Sequence, residues 1–152
     1  MNEFIPGDEN YSSKDWIMDE EISINASTDK IWPWLVQMGN GRAGWYSYDW
    51  LDNLGKKSFD YVDENLQNIE IGQKISIFTV ANFKENEFLT LDYSENCNMT
   101  WFLKPQNEKT ILITRLRVKG PKWLLKYTLG PGHLLMQLKQ FKELKKRIEK
   151  NS

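Results

Sequence analysis

Few side chains of this sequence are suited to acid–base chemistry. His133 is the only histidine, and an imidazole with a pKa of about 6.5 is the best general acid or base by type. It follows Gly130-Pro131-Gly132 at the predicted entry of a long helix, where it could lie at a cavity mouth. We favour a role in capping or solvating the helix start, because no carboxylate that would orient the ring is identifiable.

Carboxylates next to aromatic rings are a second candidate for acid–base chemistry. Asp49 and Asp52 flank Trp50 on a predicted short helix, where burial among rings would raise a carboxyl pKa. Such residues more often face water or accept a hydrogen bond from a nearby N–H. We favour that structural role and keep Asp49, with His133, as the candidates for catalysis.

The cysteine and histidine content limits metal and covalent chemistry. Cys97 is the only cysteine and lies in a predicted turn with no base near it in sequence, so nothing indicates an activated thiol. One cysteine excludes an intramolecular disulfide, and one histidine excludes the usual zinc and iron constellations. We therefore expect no metal and no cofactor.

Arginines are the candidates for binding an anionic group. Arg115 and Arg117 share one face of a predicted strand whose other face is mostly apolar. If that other face lines the core, both arginines are solvated, which we favour; otherwise they could bind a carboxylate ligand. Arg42, in a glycine-rich turn, could recognise an anionic head group, although stacking on Trp45 or Tyr46 is the favoured interpretation.

Tryptophan and tyrosine are concentrated in residues 32–50, WPWLVQMGNGRAGWYSYDW. Such rings suit a core, a ligand pocket or a partner surface, because each combines a large apolar body with a polar tip. We expect a split between core and pocket, with Trp45, Tyr46 and Trp101 the best suited to touch a cavity. The predicted ligand-binding set is Trp34, Arg42, Trp45, Tyr46, Trp50, Trp101, Leu134, Met136, Leu138 and Phe141.

The elements that must position these residues follow from hydrophobic periodicity. Residues 16–24 alternate as a strand, and a helix is predicted from a cap at Ser27 or Thr28 to Gly39, with Pro33 expected to bend it. A second short helix is predicted to end at Gly55. The later segments are strands at 74–80, 88–93, 99–103 and 110–118, then an amphipathic helical segment at 121–150.

This order is typical of an α+β domain in which one antiparallel sheet wraps the last helix and leaves a cavity. A length of 152 residues with 40% hydrophobic and 27% charged residues predicts one domain, with residues 1–14 an irregular lead-in. A net charge of -1 gives no general attraction to nucleic acid or membrane. We interpret the lysines and arginines of the last helix as its solvated face rather than a binding surface.

The opening residues lack a basic region followed by an apolar run, so they do not resemble a secretory signal. No stretch is long and apolar enough for a transmembrane helix. The sequence therefore predicts a cytoplasmic protein.

Two specific blocks, WPWLVQMG at 32–39 and GWYSYDWL at 44–51, resemble the SRPBCC superfamily (START, polyketide cyclase and Bet v 1-like proteins), in particular its uncharacterised bacterial branch. Further matches cover nearly the whole chain and include Pro6–Glu9, Leu66-Gln67, Ile71–Gln73, Thr110–Arg117, Gly130-Pro131 and Met136. The resemblance implies the helix-grip fold, in which about seven antiparallel strands curl round the C-terminal helix and enclose an elongated hydrophobic cavity.

Three functions are compatible with these residues. The first is binding of a small, mostly hydrophobic molecule, lipid-, sterol- or polyketide-like, against a helix wall of Leu134, Met136, Leu138 and Phe141. The second is a metal-free cyclase or dehydratase with His133 or Asp49 as acid or base and Tyr46 or Arg115 stabilising an oxyanion. The third is a protein-binding module that uses exposed tryptophans or the basic helix.

Overall fold

A computed structural model describes residues 4–128 and 130–152 as an α+β fold with one curved antiparallel sheet. The six strands are β1 (Trp16–Ile24), β2 (Lys74–Ile75), β3 (Phe78–Lys84), β4 (Phe88–Ser94), β5 (Cys97–Gln106) and β6 (Lys109–Val118). The helices are α1 (Thr28–Val36), α2 (Asp49–Asp52), α3 (Lys122–Thr128) and α4 (Gly130–Asn151). Short 3₁₀ turns lie at Asp8–Asn10 and Glu64–Leu66.

The strands are ordered β1-β6-β5-β4-β3-β2, so the first strand of the chain pairs with the last. The helix-grip fold predicted from the resemblance is confirmed, with six strands in the described residues rather than about seven. The strands at 16–24 and 110–118 are found close to their predicted bounds, because both carry clear period-two alternation.

The core lies between α4 and the sheet face that we call the inner face. Phe141, Leu144 and Ile148 recur on one side of α4 and are fully buried, packed with Trp101 and Leu112 of the sheet. Helix α1 completes the core through buried side chains that include Ile31, Trp34 and Leu35.

The strand predicted at 74–80 is wrong as a single element. It is a hairpin in which Ile75 pairs with Phe78 across a two-residue turn at Ser76-Ile77, and β3 then continues to Lys84. Ser76 has a left-handed backbone conformation (φ 57°). The turn contains no glycine, proline or asparagine, the residues from which such a turn is usually predicted. Cys97, predicted in a turn, begins β5 and pairs with Val118.

The predicted glycine-rich turn is present and is closed by a bridge between Gly39 and Gly44. Gly44 has a φ of +86°, and a Cβ at this position would lie 2.9 Å from Cα of Ser58 and closer still to its hydroxyl. The Ser58 hydroxyl is fixed because it donates to Asp49 at 2.6 Å. Glycine is therefore required here by both backbone conformation and space.

Arg115 and Arg117 are neither solvated, as favoured from the sequence, nor directed into the core. They project from β6 on the opposite, outer face of the sheet, where the lead-in covers them and Arg117 is 0% exposed. Arg117 Nε donates to Asp8 at 2.5 Å, and Arg115 donates to Asp8 at 2.6 Å and to both carboxylate oxygens of Asp19 at 2.7 Å. Strand alternation could not reveal this cover, because Asp8 is distant in sequence.

The Asp8 carboxylate fastens the lead-in to the sheet. Desolvation acts to raise its pKa, but the Ile5 N–H and the Arg117 guanidinium outweigh this, so the pKa of Asp8 lies below its usual value. The remaining Arg117 donors bond to Asn98, Thr100 and the Ile5 and Pro6 carbonyls. We call this group, centred on Asp8, Arg115 and Arg117, the outer clasp.

Within residues 4–128 and 130–152, none of the helices combines the length and apolar character needed to cross a bilayer.

Replacing Asp8 with Asn should lower the free energy of unfolding by about 3 kcal/mol at pH 7, because Arg117 would keep a buried charge without its counter-ion. Urea unfolding measures this, with the exposed neighbour Glu9→Gln as a charge-matched control. A lowered pKa in the folded state stabilises the fold above the unfolded pKa of about 3.9. The difference between wild type and D8N should therefore shrink as pH falls below that value. An equal loss in E9Q would contradict the clasp.

Replacing Gly44 with Ala should destabilise the chain more than replacing Gly41 with Ala. Both glycines have positive φ, which costs an alanine about 1 kcal/mol. Only at Gly44 does the added methyl meet Ser58, whereas Gly41 has open space, so the clash should add roughly 1–3 kcal/mol. Thermal unfolding of the two variants compares them directly, and equal midpoints would refute the packing argument.

Candidate functional site

A cavity of about 380 Å³ lies between the inner face of the sheet and the N-terminal half of α4. Its walls come from the glycine-rich turn and α2 on one side and from the β2–β3 hairpin on another. The lining residues are Asn40, Trp45, Ser47, Leu51, Ser76, Ile77, Phe78, Met99, Trp101, His133, Met136, Gln137 and Gln140.

The floor of the cavity is built by β5. Trp101 pairs with Leu89 of β4 and Thr114 of β6, and it is 1% exposed. Met99 lies two residues earlier on the same strand and therefore on the same face. Trp45 forms the adjoining wall and meets Phe78 edge-on, with ring centroids 5.3 Å apart. These contacts hold a rigid aromatic surface, which suits an apolar ligand.

The roof of the cavity is an amide pair on α4. The Gln140 amide donates to the Trp45 carbonyl at 2.9 Å and to Met38 Sδ at 3.6 Å, while its oxygen accepts a bond from the Gln137 amide at 2.9 Å. Ser47 donates to the Met136 carbonyl at 3.2 Å. These bonds fix α4 to the loop before α2, so roof and wall are held at a set distance.

His133 is one of the residues that line the cavity. Burial lowers the pKa of the imidazole below 6.5, so the ring is neutral at pH 7. In the described part of the chain no carboxylate bonds to the ring to orient it. The geometry therefore offers an uncharged imidazole without the second group that a catalytic histidine normally has.

The indole N–H of Trp101 is a buried donor that has no hydrogen-bond acceptor among the described residues. Buried indole N–H groups normally find a partner. Arg42 Nε is a second buried nitrogen that has no hydrogen-bond acceptor among the described residues, but Arg42 is absent from the cavity lining. Both nitrogen atoms are almost wholly inaccessible to solvent.

Of the predicted ligand-binding residues, Trp45, Trp101 and Met136 line the cavity. Trp34, Tyr46 and Phe141 lie in the core instead, where Tyr46 meets Trp34 edge-on at 5.9 Å and accepts a bond from Gln37 at 2.6 Å. On α4, Leu138 projects to solvent and Leu134 is half-buried outside the lining. Trp50 is also exposed. Ligand binding by any of these residues stays a prediction.

Arg42 neither binds in the cavity nor stacks on Trp45 or Tyr46 as expected. One guanidinium nitrogen donates to the carbonyls of Val36 and Leu66, at 2.9 Å each, and so joins the end of α1 to the loop that precedes β2. Desolvation lowers the pKa of this arginine. The cation over the Tyr46 ring is Arg147, 5.4 Å from its centroid.

Asp49 lies outside the cavity lining and accepts hydrogen bonds from the Ser58 N–H at 3.0 Å and the Ser58 hydroxyl at 2.6 Å. This is the structural role favoured from the sequence. The side chain of Asp52 lies outside the described part of the structure.

Several residues that line the cavity were not predicted from the sequence. Two of them, Gln137 and Gln140, could have been predicted from their positions on α4. Gln137 and Gln140 interrupt the apolar stripe of α4 between Met136 and Phe141 and are nevertheless almost fully buried. A polar residue on the apolar stripe of a helix indicates a polar partner or a cavity. No such pattern marks Ser76 and Ile77, which line the cavity because the unpredicted hairpin brings them there.

A second depression of about 580 Å³ lies between α1, the loop at residues 67–70 and the β3–β4 turn. Asp29, Glu70 and Glu85 contribute carboxylates to its lining. Its lining is mostly polar, whereas that of the cavity under α4 is mostly apolar, and the apolar cavity is therefore the candidate site.

No family model matches the chain, and no curated protein matches it. Solved structures do match. Protein MLL2253 from Mesorhizobium loti has a TM-score of 0.56 at 17% identity, and the alignment covers 90% of this chain and 98% of that one. The conserved protein of unknown function EF2215 from Enterococcus faecalis has a TM-score of 0.51 at 13% identity, with 93% and 75% coverage.

DynU16, a protein in the dynemicin biosynthetic locus, has a TM-score of 0.54 at 14% identity, and the alignment covers 84% of this chain. The chain matches only 46% of the length of DynU16. Identities this low establish a shared fold and carry no activity across. The chain therefore shares its fold with these three proteins.

Proposed function

We propose that this chain binds a small, mostly apolar molecule in the cavity under α4, of the lipid-, sterol- or polyketide-like class. The observation that carries the proposal is a preformed cavity of about 380 Å³ floored by Trp101 and walled by Trp45 and Phe78. Ligand sites typically have volumes of roughly 300–1,000 Å³ and aromatic walls with few polar groups. The cavity meets both criteria.

A route into the cavity supports the proposal. Leu51 of α2 and Ile77 of the β2–β3 hairpin both line the cavity, yet they are 55% and 63% exposed. Side chains that contact both the cavity and solvent mark its mouth. Their apolar surface would be covered when an apolar ligand enters, which gives a favourable free energy of burial.

Binding is better supported than catalysis. General acid–base chemistry in the cavity would rest on His133, which has no orienting carboxylate in the described residues, while Asp49 is bonded to Ser58 outside the lining. Tyr46 and Arg115, proposed from the sequence as oxyanion stabilisers, are likewise absent from the lining.

Filling the cavity should weaken binding without unfolding the chain. Met136 lines the roof, whereas its neighbour Leu135 is 62% exposed and outside the lining. Met136→Trp should weaken binding of the uncharged fluorescent probe N-phenyl-1-naphthylamine at least tenfold, about 1.4 kcal/mol, and Leu135→Trp should leave binding unchanged. Fluorescence titration gives both dissociation constants, and circular dichroism checks folding. Equal affinities in the two variants would place the probe elsewhere.

Native mass spectrometry of the purified chain should detect a co-purifying small molecule that is lost in Met136→Trp and retained in Leu135→Trp. A bound mass retained equally by both variants would contradict occupancy of this cavity.

A further inference from the structure

We infer that the exposed apolar side chains at the mouth of the cavity dock on the surface of an anionic lipid bilayer, and that the apolar ligand enters the cavity from there. These side chains are Trp50, Leu51, Leu54 and Ile77, which we call the mouth patch. The inference rests on the proposed binding function. It adds the kind of partner that covers the mouth and the phase that supplies the ligand.

The first step is the position of the mouth patch. Leu51 and Ile77 line the cavity and are also exposed, so they lie where it opens to solvent. Trp50 and Leu54 belong to the same compact turn as Leu51, which is closed by two backbone hydrogen bonds to the Asp49 carbonyl, at 3.2 and 2.7 Å. A surface that contacts the patch therefore also covers the entrance.

The second step is the exposure of the patch. Trp50 is 74% and Leu54 78% exposed, and both lie outside the core. Single exposed apolar residues are common on proteins, but a group of them beside a cavity indicates an interaction surface. Tryptophan suits the interface of a bilayer, because its ring is apolar and its N–H can bond to the head groups.

The third step is charge. The mouth patch lies within residues 50–57 and 74–79. These two segments carry three exposed lysines and one acidic residue, which are Lys56, Lys57, Lys74 and Asp52. The chain as a whole has a net charge of -1, so the positive charge at the mouth is local. Lysines beside an apolar patch favour an anionic head-group surface over a neutral one.

The fourth step is the supply of ligand. A mostly apolar molecule is poorly soluble in water and concentrates in bilayers, because its transfer out of water is favourable. The aromatic floor and walls of the cavity suit such a molecule. With the mouth patch against a bilayer, the molecule passes into the cavity without crossing water. A soluble protein bound at the mouth would offer no such route.

Vesicle binding tests the inference. Co-sedimentation would be measured with vesicles of equal parts phosphatidylcholine and phosphatidylglycerol, and with vesicles of phosphatidylcholine alone. Leu54→Asn removes one apolar side chain of the patch, and asparagine tolerates the left-handed backbone of this position (φ 51°). Phe4→Asn is the control, since Phe4 is similarly exposed but lies next to Ile5, which Arg117 binds on the outer face of the sheet.

We expect the wild-type chain to bind the anionic vesicles at least tenfold more tightly than the neutral ones. Leu54→Asn should weaken binding to the anionic vesicles roughly fivefold, because less apolar surface is buried, and Phe4→Asn should leave it unchanged. Without vesicles, Leu54→Asn should bind N-phenyl-1-naphthylamine as tightly as the wild type, since Leu54 is outside the cavity lining.

No binding to vesicles by a wild-type chain that still binds N-phenyl-1-naphthylamine would overturn the membrane inference and leave the proposed function intact. Equal losses in Leu54→Asn and Phe4→Asn would overturn the role of the mouth patch, and equal binding to both kinds of vesicle would overturn the preference for anionic lipid. Light scattering of the chain alone adds a further check. A dimer that Leu54→Asn dissociates would assign the patch to a second copy instead. Failure to bind the naphthylamine probe would count against the proposed function itself.

Discussion

The packing of the C-terminal half of α4 on the inner face of the sheet is the constraint on which the site depends. Phe141, Leu144 and Ile148 are fully buried there, and together they fix the axis of a helix that extends back to Gly130. Because a helix is a rigid rod over this length, its N-terminal half must pass above the sheet at a set height. That half presents Met136 and two glutamines, which do not fill the space below them. The cavity is the volume that remains.

Alternate residues of one strand lie on opposite faces of the sheet, and on β6 the charged side chains are all on one of these faces. On β6, Thr114 and Leu116 face the inner side, while Arg115 and Arg117 face outward into the outer clasp. Buried guanidinium groups are tolerated when their donors are satisfied, as those of Arg117 are by Asp8, Asn98 and Thr100. The buried charges of Arg115 and Arg117 therefore lie on the outer face of the sheet and not on the inner face.

The sequence allowed prediction of the elements with strong periodicity and of the fold, because hydrophobic spacing and the aromatic blocks are local signals. It did not allow prediction of features that depend on distant partners. The cover on Arg115 and Arg117 comes from Asp8, and the bonds of Arg42 lead to Leu66 in another loop. The Ser76-Ile77 turn was not predicted because serine does not favour the left-handed backbone that Ser76 adopts.

The site itself was predictable only in part, for a related reason. Trp45 and Trp101 were singled out by type, but Trp34 and Tyr46 have the same types and lie in the core. Which ring faces a cavity is decided by the height of α4 and by the amide pair that ties it to Trp45. Those are three-dimensional quantities without a sequence signature of their own.

The outer clasp also affects the order in which the chain can assemble. Asp8 bonds to Arg115 and Arg117, 107 and 109 residues further along, and β1 pairs with β6 from Trp16–Val118 to Ile24–Thr110, also far apart in the sequence. During synthesis on the ribosome, the first strand and the lead-in must therefore wait, without their partners, until β6 emerges. Strands β2 to β5 pair with their sequence neighbours and can form earlier. The barrier to folding is thus expected to lie in joining the two ends of the sheet at β6.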